Sequence, residues 1–292
     1  HPAGLSFTAQ HRFFPLMALD LLCGADIPAA RLLSLFGDAP PLTSPVGLPD
    51  HWCGPAGDYA VEAWQVDDAG DIRSVARTAY AAVVARLQQR GFPALLRTWT
   101  YFDRINEGEG DAERYRQFCI GRAEGLGNSE RFPAATVIGS RRPGLWLWVL
   151  AGRSPGVPVE NPRQVPAWQY PRIYGPQSPG FARALWLPSA QRLLVSGTSS
   201  VVGHLTAHPF NAPAQLAETH TNLQALVGEA QSRFGLALAP ISLRLYVRDA
   251  GDAGPLLDQC RQWYPDTPWG LHIGDVCRAD LTVEIEGVFG PA

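Results

Sequence analysis

The chain has 292 residues, 46% hydrophobic and 17% charged, with a formal net charge of −3, enough to bury one large core or two ordinary ones. All 24 of its Lys or Arg positions are Arg, which excludes Schiff-base lysine chemistry and P-loop nucleotide binding and leaves fixed, planar cations suited to gripping carboxylates. The slight acidity, the lack of a basic run and the lack of an apolar stretch of about 18 residues argue against nucleic acid or a membrane as partner, and with no signal pattern in HPAGLSFTAQ a cytoplasmic location is expected.

In chain order, Ala76 to Arg90 reads as a helix, LRTWTYFDR from Leu96 as a strand, and FPAATVIGS from Phe132 and GLWLWVLAG from Gly144 as two more strands. Between the first two strands lies the long segment INEGEGDAERYRQFCIGRAEGLGNSE, in which a helix is expected to begin after Asp111 and to set Phe118 and Arg122 one turn apart. From Gly152 to Pro188 proline and polar residues crowd the chain and forbid a helix or central strand, so the domain junction is placed there. RALWLPSAQRLLVSGTSSVVG then reads as a hairpin turning near Pro188 to Gln191, followed by an amphipathic helix over Ala214 to Phe234, a strand over Ile241 to Arg248, a helix over Leu256 to Tyr264 and a last strand over Leu281 to Val288. The order β-β-α-β-α-β defines an α+β layer with helices on one face. The earlier half repeats it: with Pro133 set against Pro268, Trp148 and Leu150 fall where the second copy carries Glu284 and Glu286. The expected division is 1–165, containing the divergent repeat at about 74–152 with its Arg-rich insertion, and 166–292.

In LTVEIEGV, alternation turns Leu281, Val283 and Ile285 toward the helices and puts Thr282, Glu284 and Glu286 on the opposite face. Two carboxylates on a covered face would raise one pKa toward neutrality, as a general acid requires; a solvated face with structural ion pairs is the plain alternative. Arg114, Arg116 and Arg122 of the insertion, with Tyr115, could hold an organic anion or pair with nearby glutamates as surface charges. Arg183 and Arg248 flank strands, whose ends line clefts. Gly197 marks either a close approach to the backbone or a bulge. The serines around it lack a GxSxG elbow. Cys23, Cys53, Cys119, Cys260 and Cys277 are scattered and read as reduced thiols. His204, His208 and His220 are interrupted by Pro209 and Pro213, so no metal is expected.

GPQSPGFARALWLPSAQRLLVSGTSS, with YVRD and VEIEG after it, resembles the RidA-like (reactive-intermediate deaminase, chorismate mutase-like) superfamily over about residues 174–290. TYFDRINEGEGDAERYRQFCIGR followed by DVCRADLTVEIEG more particularly resembles the chorismatases, from about residue 74 onward. The resemblance implies a cofactor-free reaction on chorismate, with arginines holding its two carboxylates and Glu284 protonating the enol ether to release pyruvate. Glu286 would then tune or support it. Cys277 and Gly197 match the combination associated with hydroxybenzoate-forming branches, so 3-hydroxybenzoate, alone or with 4-hydroxybenzoate, is the expected product. Hydrolysis to a dihydroxycyclohexadiene carboxylate is the enzymatic alternative, and a non-catalytic binding protein for a small carboxylic acid the other. The deaminase arginine before the last strand is missing from DTPWGLHIGD, which leaves Arg114, Arg122, Arg183 or Arg248 for the anion, with Tyr101, Tyr170 and Tyr174 as hydrogen-bonding partners. Trimeric relatives with sites between subunits imply, for two repeats in one chain, a pseudo-threefold monomer, with a trimer as the alternative.

Overall fold

A computed structural model describes residues 51–292 apart from 57, 69, 128–130 and 142; Cys23 and the first fifty residues of the expected N-terminal region lie outside the described residues. The chain runs β1 (His51–Ala56), β2 (Tyr59–Val66), α1 (Ile72–Gln89), β3 (Ala94–Asp103), α2 (Arg114–Leu126), β4 (Ala134–Ser140), β5 (Leu145–Gly152), β6 (Val157–Val159), β7 (Ala184–Leu187), β8 (Arg192–Ser199), β9 (Val201–Val202), β10 (Leu205–Thr206), α3 (Ala212–Phe234), β11 (Leu238–Val247), α4 (Ala250–Trp263), β12 (Trp269–Ile273), β13 (Asp275–Val276) and β14 (Val283–Pro291).

Two six-stranded sheets result, ordered β1-β2-β5-β3-β4-β13 and β12-β11-β14-β8-β7-β6. Removing the edge strands β13 and β6 leaves the same five-stranded arrangement twice, each built β-β-α-β-α-β-β. The sequence reading of this unit lacks one strand: WGLHI follows Pro268, is interrupted by Gly270 and shows no clear alternation, yet it pairs in parallel with β11 across the α4 crossover. Helix α4 also starts earlier than Leu256, because Asp249 caps it through the Gly251 N–H, and Pro255 sits within it.

Amphipathic helices cover the outer faces. Tyr80, Val83 and Leu87 of α1 and Phe118 of α2 pack with Phe102 and Leu147, while Leu216, Leu223 and Leu226 of α3 pack with Val283 and Ile285 of β14. The inner faces meet through Trp99, Trp148 and Leu150 on one side and Leu185, Leu187 and Leu194 on the other. The sheets also exchange chain: β6 lies before residue 166 yet pairs with β7, and β13 leaves the second half to pair with β4. Glycines make that last crossing possible, since a Cβ on Gly274 would lie 2.5 Å from the Gly139 carbonyl oxygen. Among the described residues no helix is long and apolar enough to cross a membrane.

Candidate active site

Alternation along β14 sends Glu284 and Glu286 between the two sheets, where they are 4% and 2% exposed; the solvated-face alternative is therefore wrong. Their surroundings separate them. Glu286 accepts from Arg97 Nη2 (2.5 Å) and Thr136 on one oxygen, and from Arg244 Nη1 (2.9 Å), Tyr246 (2.8 Å) and Trp99 Nε1 (3.1 Å) on the other. Burial pushes its pKa up, but the two guanidiniums and these donors more than offset that and hold it below the ordinary carboxylate value. Among the described residues Glu284 accepts a single bond, from Ser199 Oγ at 3.0 Å, and burial, which the Ser199 hydroxyl only partly opposes, pushes its pKa up to about 8. Two acids two residues apart thus hold different protonation states at neutral pH, the pattern that separates an acid from an ionised partner.

Gly197 of β8 explains how Glu284 fits: a Cβ there would lie 1.9 Å from its Oε1. The backbone is also bulged at this point, since the β14–β8 register shifts between Ile285 and Gly287. The two readings of Gly197, close approach and bulge, are one feature. Thr136 of β4 joins the sheets by accepting from the Gly197 N–H at 3.0 Å and donating to Glu286.

Glu284 lies at the wall of a cavity of about 560 Å³, to which β4 contributes Thr136, β8 Gly197 and Ser199, the stretch before β7 Tyr170, Tyr174 and Arg183, and the loop before β14 Cys277 and Arg278. Arg183 is buried, donates to the Tyr170 hydroxyl (2.7 Å) and the Val165 carbonyl (3.0 Å), and among the described residues has no partner for Nε. Arg278 lies 4.0 Å over the Tyr174 ring and 5.1 Å over the Tyr170 ring, donates from Nη1 to the His204 carbonyl (2.9 Å), and among the described residues has no partner for Nη2. Buried donors left open beside a cavity are groups available to an acceptor that enters it. Cys277 is a free thiol that burial pushes up to about 12, so it stays neutral beside the Tyr115 hydroxyl.

Of the residues singled out from sequence, the cavity brings together Glu284, Cys277, Arg183, Tyr170, Tyr174 and Gly197. Arg114, Arg122, Tyr101 and Arg248 are placed elsewhere. Arg114 is ion-paired with Asp68 and lies 3.6 Å from Asp103. Arg122 faces a different cavity. Tyr101 bonds the Tyr246 hydroxyl at 2.9 Å and so backs Glu286. Arg248 braces the loop 275–281 through Asp275 (2.8 Å) and the carbonyls of Arg278 (2.9 Å) and Leu281 (2.9 Å). Of the insertion arginines only Arg116 lines this cavity, where it is paired with Glu113 at 2.8 Å. Sequence reasoning passed over Arg278 and Thr136, while Ser199, one of the serines around Gly197 that read as hydrogen-bonding groups, donates to Glu284. Arg278 had a signal, being next to Cys277 in DVCRADLTVEIEG, whereas Thr136 had none. The three histidines stand apart: His204 against Tyr174, His208 near Glu218, and His220 stacked on Trp263 at 3.9 Å.

Two facing α+β sheets enclosing a protonated glutamate and arginines define a protein built to act on a small anion. Comparison with known proteins makes the class specific. The family described as Chorismatase FkbO/Hyg5-like, N-terminal, matches residues 51–151. A 3-hydroxybenzoate synthase of Streptomyces hygroscopicus is 38% identical over 80% of this chain and 74% of its own. A chorismatase of Streptomyces rapamycinicus is 37% identical over 79% of this chain and 74% of its own. The crystal structure of a chorismatase superposes with a TM-score of 0.77 at 32% identity, covering 86% of this chain and 79% of that one. The chain belongs to the chorismatase family.

Proposed function

We propose that this chain converts chorismate to 3-hydroxybenzoate and pyruvate, with Glu284 as the acid. The observation that carries the reading is the pKa split along β14: a buried glutamate held near 8 on the cavity wall, two residues from one locked as a carboxylate. The enol ether of chorismate needs a proton on its methylene carbon, a transfer that is slow in water and calls for a positioned acid. Glu284 delivers that proton, and the resulting oxocarbenium ion, next to the Glu284 carboxylate just formed, is stabilised electrostatically. The ring hydroxyl then acts internally as the ring carbon–oxygen bond of the ether breaks and pyruvate leaves, and the ring aromatises with loss of one proton, which returns to Glu284. The two products together contain every atom of chorismate and no added water. The open nitrogens of Arg183 and Arg278 suit the two carboxylates. The name of the 38%-identical relative supports the 3-hydroxy isomer. The walls of the cavity come from both sheets of one chain, which supports a monomer as the working unit; a mass measurement showing an obligate trimer would contradict that.

Incubation with chorismate, with pyruvate followed by a coupled dehydrogenase and the ring product by chromatography, tests the reading. An aromatic product in one-to-one ratio with pyruvate is expected. A non-aromatic dihydroxy acid would assign hydrolysis instead, and binding without pyruvate would make the chain a carboxylic-acid binder.

A further inference from the structure

We propose that a second cavity, distinct from the one at Glu284, binds a small aromatic monocarboxylate with Arg122 as its anion anchor. This cavity, of about 1000 Å³, lies against the face of α2 that carries Cys119, Arg122, Ala123 and Leu126, positions spaced so that one side of a helix presents all four. Arg122 is 2% exposed. Its guanidinium lies 5.3 Å over the Phe118 ring, and among the described residues neither Nη1 nor Nη2 meets an acceptor. Among the described residues its polar neighbours are Cys119, Tyr115 and Tyr80, the last within hydrogen-bonding reach of the guanidinium, and none of them is a carboxylate; burial keeps the Cys119 thiol and the Tyr115 hydroxyl protonated, and the Tyr80 hydroxyl is also bonded to Thr100 at 2.8 Å.

Of the other buried arginines among the described residues, Arg97 and Arg244 meet Glu286 and Arg114 meets Asp68, while Arg183, which also lines a cavity, meets the Tyr170 hydroxyl. A guanidinium enclosed with no carboxylate is costly, and an entering anion reduces that cost. The rest of the wall selects the body of the ligand. Phe132 and Trp168 stack at 5.3 Å with a 24° interplanar angle, Leu95 and Leu185 add apolar surface, and a Cβ on Gly180 would lie 2.7 Å from Phe132, so glycine there lets the ring take its place. Arg131, at the rim, already has a partner. One unmatched cation in an apolar, ring-lined space fits a flat monoanion better than a phosphate. The stretch 168–181 divides the two cavities, with Trp168 and Gly180 on this one and Tyr170, Tyr174 and Phe181 on the other.

The test uses 4-bromobenzoate. Crystals soaked with it are expected to show an anomalous bromine peak beside Phe132 and Trp168 with the carboxylate toward Arg122. In solution, calorimetric titration of the whole protein is expected to contain a binding step that Arg122→Gln weakens at least tenfold. Ala123→Phe, which adds bulk to the wall and leaves the guanidinium, is expected to abolish the same step and decides the matter if Arg122→Gln does not fold. Bromine only in the Glu284 cavity, or unchanged binding in either folded variant, overturns the proposal. No turnover is read, so the result stands apart from the role proposed for Glu284.

Discussion

Replacing Glu284 by Gln keeps the shape of the side chain and removes its proton equilibrium, and the consequence can be calculated from its burial. The folded value of about 8 stands 3.5 units above the ordinary 4.5, and at 1.36 kcal/mol per unit this is about 5 kcal/mol of linkage. Between those two pH values the folded chain keeps a proton that the unfolded chain has released. Stability from this group is therefore fully present below pH 4.5 and lost as pH rises through 8. Urea unfolding of wild type and Glu284→Gln at intervals from pH 4.5 to 9 isolates the effect, because groups that do not interact with Glu284 titrate alike in both. The variant should be the more stable at pH 9 relative to pH 4.5, by roughly the calculated amount. In wild type, kcat/KM should be flat below about pH 8 and fall tenfold per unit above it, since about ten molecules in eleven carry the proton at pH 7, while the variant should release no pyruvate. Parallel stability curves for the two proteins would refute the claim that burial keeps Glu284 protonated.

Glu286→Gln leaves Arg97 and Arg244 with no carboxylate and should cost about 3–5 kcal/mol, seen as a lowered Tm; removing that negative neighbour, which raises the Glu284 value, should also move the alkaline limb of kcat/KM to lower pH. Gly197→Ala puts a Cβ where Glu284 Oε1 lies and should lower pyruvate release at least a hundredfold, with chorismate binding reduced less, as separated by single-turnover and equilibrium measurements. Arg278→Lys replaces a planar cation stacked on two tyrosines by a point charge and should raise KM about tenfold or more with a smaller effect on kcat. Cys277→Ala removes a neutral thiol from the cavity wall and should shift the ratio of ring products, read by chromatography, more than it shifts KM.

What could be read in the sequence was whatever depends on local period. LTVEIEGV told which face of β14 holds the acids, and the 3.6-residue spacing of Leu216, Leu223 and Leu226 told which face of α3 is buried. Gly197 could be flagged because glycine has few reasons to sit in a strand, although the group that approaches it comes from a strand 87 residues away. Contacts made across the molecule had no such signal. Arg97 meets Glu286 over a separation of 189 residues, and nothing in LRTWTYFDR distinguishes it from a surface arginine. Arg114 and Arg122 were chosen for their residue type and neighbours in sequence, but the turn of α2 sends one to Asp68 and the other to a separate cavity.

The duplication accounts for how the acids became unlike. On β3 and β5, Trp99 stands opposite Trp148 and Arg97 opposite Leu150; on β11 and β14, Tyr246 stands opposite Glu284 and Arg244 opposite Glu286. Both copies carry the arginine, and only the second carries a carboxylate facing it. Arg97 therefore finds its acid on the other sheet, and Glu286 receives one guanidinium from each copy. That second cation draws Glu286 below the ordinary carboxylate range while tying the sheets together. Glu284, two residues along the strand, is paired with no guanidinium among the described residues; burial outweighs its bond from the Ser199 hydroxyl and the pull of the more distant Arg97 and Arg183, and it stays protonated. A single copy with matched arginine and glutamate would hold one neutral ion pair; two unmatched copies produce a locked anion and a free acid side by side, the separation on which the acid role proposed for Glu284 relies.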